Sequence, residues 1–317
     1  MSDTDFSTWM NETVCPYITL RRTENYFRTK DGLRLRYRIF RAENPSGSGM
    51  RKKRVMIFHG FSEFLEKYDE AVWHFLREGM DVYMLELRGH GYSDREVQNK
   101  DLVHVDSFDQ YTEDLHAFLK EVMEPEAGER NSETILFAHS MGGGIGAVYA
   151  DRYPDDFDKV LLSSPMIRMR TGSVPGWLVP LLAWFGCARG KEKDFAIGQG
   201  PFPGEGNPSP MSRKVRFFYE KRLENPKFQM WSASYGWIRA ALENSKKAAR
   251  VSGLTVPMLL LAAGQDKMVY PDNIREYAKR QQNARFVFFP EGHHELFNDN
   301  EEISDRFWKE VFSFIRA

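Results

Sequence analysis

Ile135-Leu136-Phe137-Ala138-His139-Ser140-Met141-Gly142-Gly143-Gly144 runs from three apolar residues through a serine into three glycines. A short, unbroken apolar run ended by small residues reads as a strand buried on both faces. The residues from about Met141 to Arg152 then read as a helix, closed before Pro154 because proline forces the residue ahead of it into extended backbone. Ser140 therefore sits on a tight strand-to-helix turn. A buried strand leading into a helix is the repeating unit of a parallel α/β sheet.

The same unit recurs on both sides. Upstream, Val55-Met56-Ile57-Phe58 and Val82-Tyr83-Met84-Leu85 lack the alternation of strands wetted on one face. Amphipathic segments sit between and after them, the clearest with Phe108, Tyr111, Leu115, Phe118, Leu119 and Val122 at helical spacing and a capping box of Ser107 and Gln110 at its start. Downstream come strands Val160-Leu161-Leu162 and Met258-Leu259-Leu260-Leu261, a helix near Asp272 to Gln282, and strand Phe286-Val287-Phe288-Phe289. The last helix starts at about Glu301, with Ile303, Phe307, Val311, Phe312 and Ile315 inward. A hairpin precedes the sheet: Tyr26 to Thr29 and Leu33 to Phe40 flank Lys30-Asp31-Gly32, and the second arm alternates apolar residues with arginine, as a half-exposed strand does. From Pro165 to Val256 the alternation of strand and helix stops. The expected fold is α/β, a mostly parallel central sheet flanked by helices, with residues 1–164 and 257–317 as the core and 165–256 as an inserted, mainly helical cap.

Composition narrows the function classes. The chain has 317 residues, 42% hydrophobic and 28% charged, enough for a large core and too apolar for general disorder. Lys and Arg number 44 against 45 Asp and Glu, so no global field draws a polyanion, and nucleic acid is not expected as a partner. Cys15 and Cys187 are too few for a disulfide framework and lack zinc-ribbon spacing, and they are expected to be reduced and buried. Met1 to Asp5 is acidic with no apolar run behind it, so the chain reads as cytoplasmic. No obligate protein partner is evident.

The turn at Ser140 resembles the nucleophile elbow of α/β-hydrolases, with Ala138 where the G-x-S-x-G pattern has its first glycine. Further segments fall in that family's order: His59-Gly60-Phe61-Ser62-Glu63, Arg88 to Asp94, Gly264 to Val269 and Gly292 to Leu296. Asp266 follows the strand Met258 to Leu261, and His294 follows Phe286 to Phe289, at the carboxyl ends where open α/β sheets build their sites. The resemblance implies a serine nucleophile, Ser140, activated by a histidine that a carboxylate orients. Asp266 is the expected carboxylate, with Asp272 as runner-up. His294 is the expected base by its register before Glu295-Leu296, with His293 as its competitor. An oxyanion hole from the N–H groups of Phe61 and Met141 is also implied, His59 and Gly60 shaping the loop. Arg88 to Asp94 resembles the family's R-G-x-G-x-S loop, a packing element. His90 and Asp94 supply two metal donors without a third, and Gly142-Gly143-Gly144 lacks the rest of a dinucleotide fingerprint. Neither a metal nor another cofactor is expected.

Local matches at His104 to Phe108, Ala138 to Gly143, Ser164 to Met166 and Phe195 to Gly198 are most similar to bacterial lysophospholipases of the monoacylglycerol lipase-like branch. That resemblance implies hydrolysis of the carboxylic ester of a single-chain glycerolipid. A small-ester hydrolase or aminopeptidase on the same framework is the alternative, a non-catalytic ligand-binding fold the third reading, and acyl transfer to an alcohol stays open. Thr171 to Ala188 carries no charge, and Trp177 to Phe185 is nearly all apolar between Arg168, Arg170 and Arg189, Lys191. The stretch is too short to span a bilayer. Two readings stay open for it: an apolar lid packed on the site, or one that also dips into the inner face of a membrane. Trp177, Trp184, Trp231 and Trp237, with His59, are the candidate substrate-binding residues. Arg51-Lys52-Lys53-Arg54 reads as a solvated strand start, with a headgroup contact as its alternative.

Overall fold

The hairpin opens the sheet as β1 (Arg22–Arg28) and β2 (Arg34–Phe40), paired antiparallel across a turn that contains Gly32 at φ +91°, a conformation costly for any residue with a Cβ. The computed structural model describes residues 3–43, 51–125, 132–206 and 212–317. The strands that follow are β3 (Lys52–Phe58), β4 (Asp81–Leu85), β5 (Leu102–Val103), β6 (Ser132–His139), β7 (Lys159–Ser163), β8 (Ser232–Ala233), β9 (Met258–Ala263) and β10 (Ala284–Phe289). One eight-stranded sheet has the order β1-β2-β4-β3-β6-β7-β9-β10, antiparallel at β1/β2 and β2/β4 and parallel from β4 onward. The short strands β5 and β8 pair separately, in parallel.

The helices are α1 (Asp3–Trp9), α2 (Cys15–Thr19), α3 (Asp69–Arg77), α4 (Phe108–Phe118), α5 (Ser140–Arg152), α6 (Val179–Ala188), α7 (Arg213–Glu224), α8 (Tyr235–Ala248), α9 (Pro271–Lys279) and α10 (Glu301–Arg316). Period two within the apolar strands sorts them into layers. Met56 and Phe58, Leu136 and Ala138, Leu260 and Ala262 face a core shared with α4, α5, α8 and α9; Val55 and Ile57, Ile135 and Phe137, Leu259 and Leu261 face α3 and α10. Ser107 and Gln110 form the expected capping box on α4.

Several expectations need correction. The arginine face of β2 is buried: Arg36 and Arg38 are 2% and 5% exposed, Arg36 meeting Glu86 and Glu66, Arg38 meeting Glu66 and Glu24. Buried charge requires paired charge, and the partners come from other segments that strand periodicity does not reveal. Arg51 to Arg54 is likewise engaged: Arg51 meets Asp158, Lys52 meets Asp81, Lys53 meets Glu133, and buried Arg54 donates to the carbonyl oxygen of Met123. Cys15 and Cys187 are free thiols but only half-buried. The acidic N-terminal stretch leads into helix, and Phe6, Met10 and Val14 pack on Phe217 and Phe218 of α7. Between β7 and β9 the chain forms α6, α7 and α8, with α6 meeting α8 where Gly186 abuts the Tyr235 ring. Among the described residues no helix is long and apolar enough to cross a membrane.

Candidate active site

The parallel strands β3, β6, β9 and β10 all end on one side of the sheet, and each delivers one segment of the site there. β6 ends at His139 and α5 begins at Ser140, whose φ is +52°. Left-handed backbone destabilises a non-glycine residue by about 1–2 kcal/mol. The surroundings hold it: a Cβ on Gly142 would lie 2.4 Å from the carbonyl oxygen of Phe58, and one on Gly144 2.6 Å from that of Met166. The glycines after the serine are thus demanded by the close approach of α5 to the ends of its neighbouring strands.

His294, on the loop after β10, places Nε2 2.8 Å from Ser140 Oγ and Nδ1 2.7 Å from Asp266 Oδ2. Asp266, on the loop after β9, has a fully buried side chain whose Oδ1 accepts the N–H groups of Met268 and Val269 at 2.7 and 2.9 Å. Burial alone would raise its pKa. The hydrogen bond and charge of His294, with those two N–H groups, outweigh burial and hold the carboxyl below its ordinary range. An ionised carboxylate on Nδ1–H fixes the tautomer whose Nε2 can accept the serine proton. The competitors lie elsewhere: His293 is largely exposed and meets Asp299, and Asp272 pairs with Arg275 in the exposed first turn of α9.

The loop after β3 closes on the serine, a Cβ on Gly60 falling 3.1 Å from Ser140 Cβ. Neither Phe61 N–H nor Met141 N–H has an acceptor among the described residues, so both donors beside Ser140 are unspent. The loop is tied at several points. Gly60 N–H donates to Glu63 Oε2 at 2.6 Å, and Ser62, at φ +60°, donates its N–H to His90 Nε2 at 3.1 Å. Arg222 of α7 donates to Ser62 Oγ at 3.0 Å and to the Ser62 carbonyl at 2.6 Å. His59 is buried; its Nε2 accepts from Leu87 N–H at 3.0 Å and its Nδ1 donates to the Gly60 carbonyl at 2.8 Å. Both ring nitrogens are used, one within the loop and one by Leu87 after β4, and burial lowers the pKa to about 4.

A buried charged chain lies behind the loop. Lys67 bridges Glu63 at 2.7 Å and Glu295, the neighbour of His294, at 2.6 Å; the Tyr68 hydroxyl donates to Glu63 at 2.6 Å. Burial would raise the pKa of both glutamates, but the Lys67 charge reverses that, and both carboxyls are lowered. The loop after β3 and the histidine loop are thereby joined. Sequence reading quoted Glu63 and Glu295 as motif letters without a task; the available signal was two ionisable residues four apart amid Phe64, Leu65 and Tyr68. His139, its ring centroid 4.9 Å from that of His294, was also missed.

The Arg88 loop is a packing element: Arg88 meets Asp114, Asp31 and Glu96, and Ser93 Oγ donates to the Glu86 carbonyl. Among the described residues the donors that converge as a metal ligand set are Glu96, His104 and Asp106, without His90 or Asp94, and Arg88 already stands 2.9 Å from that glutamate. The four tryptophans scatter. Trp237 is buried against Phe61, at 4.4 Å between centroids, and Phe108; Trp231 packs on Phe202 and under Arg222. Trp177 and Trp184 are 74% and 65% exposed. A cavity of about 330 Å³ lies between α6 and the Asp266 loop, walled by Val174, Val179, Leu182, Ala183, Ile238 and Met268.

A family model described as serine aminopeptidase, S33, matches residues 49–301. Lysophospholipase L2 of Escherichia coli strain K12 is 27% identical over 259 residues, covering 78% of this chain and 72% of that protein. The monoacylglycerol lipase of Mycolicibacterium smegmatis is 24% identical over 290 residues, covering 90% and 94%. A solved structure of a soluble variant of Saccharomyces cerevisiae monoglyceride lipase, in complex with a substrate analogue, has a TM-score of 0.71 at 15% identity, covering 93% and 96%. That likeness shows the shared fold.

Proposed function

Because this chain belongs to the serine aminopeptidase, S33, family of α/β-hydrolases, we propose that it is a serine hydrolase that cleaves the carboxylic ester of a single-chain glycerolipid, a lysophospholipid or a monoacylglycerol. The observation that carries the mechanism is His294 held between Ser140 Oγ and Asp266. Ser140 attacks the ester carbonyl as His294 takes its proton, and the oxyanion is received by the N–H groups of Phe61 and Met141. His294 then protonates the leaving alcohol. Water, deprotonated by the same histidine, releases the fatty acid from Ser140.

The relatives named above support the lipid substrate, as does the apolar cavity beside the acid loop. Residues 165–256 serve as the cap, and Trp177, Leu181, Trp184 and Phe185, exposed on and before α6 near Arg189 and Lys191, form a face that rests on a lipid surface. The family's description favours a second reading, an aminopeptidase. Such an enzyme must hold an ammonium group, yet the cavities beside the acid loop present lysine and arginine, and Asp266 is occupied by His294.

Fluorophosphonate labelling, followed by fatty-acid release from matched lysophospholipid and monoacylglycerol, tests the proposal with Ser140→Ala as control. We expect labelling at Ser140 and lipid turnover that falls at least about 10³-fold in the variant. Labelling without turnover of any single-chain lipid would transfer the function to small esters or peptides.

A further inference from the structure

A cluster of cations stands beside the acid loop and takes no part in the triad. Residues 168–170 run antiparallel to 268–270: Met169 bridges Val269, Arg170 N–H donates to the Met268 carbonyl at 2.7 Å, and Tyr270 N–H donates to the Arg168 carbonyl at 3.1 Å. Arg168 and Arg170 both lie over the Tyr270 ring, at 5.1 and 4.4 Å from its centroid. Arg170 Nε donates to the Val269 carbonyl at 3.1 Å, and Val269 N–H donates to Asp266 Oδ1, so two hydrogen bonds connect this guanidinium with the proposed catalytic acid. Lys267 is exposed on the same loop.

Among the described residues no carboxylate pairs with Arg168, Arg170 or Lys267. The one carboxylate lining the adjoining cavities is Asp266, whose outer oxygen is given to His294. Two guanidinium groups on one ring with no acid between them repel each other, an arrangement that an incoming anion relieves. The apolar cavity of about 330 Å³ and a second of about 400 Å³ that opens on Gly264 to Lys267 share Arg170, Thr171, Gly172 and Lys267 as common wall. An apolar cavity whose wall carries cations without carboxylate partners fits an amphiphile with an anionic head.

We infer that Arg170 and Lys267 form a subsite for the phosphate of the substrate's headgroup, so that this enzyme prefers lysophospholipids to neutral monoacylglycerols. The inference rests on the ester-hydrolase reading above and names the substrate within it. Arg170 offers the planar donor fork that matches phosphate oxygens, Lys267 a point charge, and Arg168 adds to the local field.

The test uses dodecanoyl esters below their micellar concentration, which removes any lipid surface: lysophosphatidylglycerol, lysophosphatidylcholine and monododecanoylglycerol, with the full chain. The ratio of kcat/KM for a phosphate-bearing ester to that for the neutral ester is expected to exceed ten. In Arg170→Gln/Lys267→Gln it should fall about tenfold, and in the Arg170→Glu/Lys267→Glu pair further, with most of the effect in KM. Both positions are exposed, circular dichroism confirms folding, and the ratio to the neutral ester cancels any general loss of activity. A ratio that is unchanged in the variants overturns the inference and leaves the lipase reading intact. A preference seen with vesicles but absent with monomers overturns it in favour of a membrane contact. Inorganic phosphate that alters monododecanoylglycerol turnover in the parent but not the variant, without a lysophospholipid preference, assigns the cations to a free anion instead. No turnover of any of the three esters by a protein that labels at Ser140 refutes the lipase reading itself.

Discussion

Arg222 is buried on α7, and its hydrogen bonds end on Ser62 Oγ, the Ser62 carbonyl and the Met230 carbonyl. Burial lowers its pKa to about 10, which still leaves it charged at neutral pH. It is a positioning residue: it pins Ser62, and through Ser62 the neighbouring Phe61 N–H. If Phe61 N–H is the oxyanion donor proposed above, Arg222→Met should lower kcat about 10- to 100-fold with a much smaller change in KM, because displacing such a donor weakens the transition state more than the ground state. Arg222→Lys should restore part of that loss; equal losses in kcat and in folded fraction would show a purely structural role. Ser140, Asp266 and His294 were legible because each follows its own strand at a motif. Arg222 was not, and for Lys67 only its pairing with Glu63, four positions away, left a local signal; Ser62 lies 160 positions from Arg222 and Glu295 228 from Lys67, and no local pattern announces such contacts.

At the scale of elements, one tight constraint is the crossing of α5 over the end of β3. An added Cβ on Gly142 would meet the carbonyl oxygens of Phe58 and His59 at 2.4 and 2.5 Å, both backbone atoms that cannot swing aside. Gly142→Ala should destabilise the protein by about 1–3 kcal/mol in urea unfolding and depress activity, because the strand end that yields also carries the oxyanion loop. Gly200→Ala, where nothing lies within 4 Å, should stay within about 0.5 kcal/mol. The buried strands and the helices with one apolar face were readable from period alone. α7 and the N-terminal helix were not, and β2 was assigned the wrong exposure, because its arginines are neutralised by Glu24, Glu66 and Glu86 from outside the strand.

Across the whole molecule, the accessible surface is 14196 Å², close to the roughly 14,000 Å² expected of a single folded chain of 37.0 kDa. Its interior holds His59 and His139, each lowered to about 4 by burial, and His90, also lowered by burial. The unfolded chain takes up these protons near pH 6.5 whereas the folded chain keeps His59 and His139 neutral down to about pH 4, so the contribution of those two is complete above pH 6.5 and is lost as pH falls through that interval, and the lowered His90 acts in the same direction. The urea midpoint should hold from pH 8 to 7 and decline from pH 6.5 to 4.5; a level curve over the lower range would contradict the buried, neutral state. The amino-acid order alone determined the alternation of strand and helix, the serine turn and the loops carrying Asp266 and His294, since these depend on local period and on small residues at fixed offsets. Only the tertiary structure decided which buried charges pair, what fastens the oxyanion loop and where unpaired cations gather, because such contacts join segments whose separation along the chain says nothing about their distance in space.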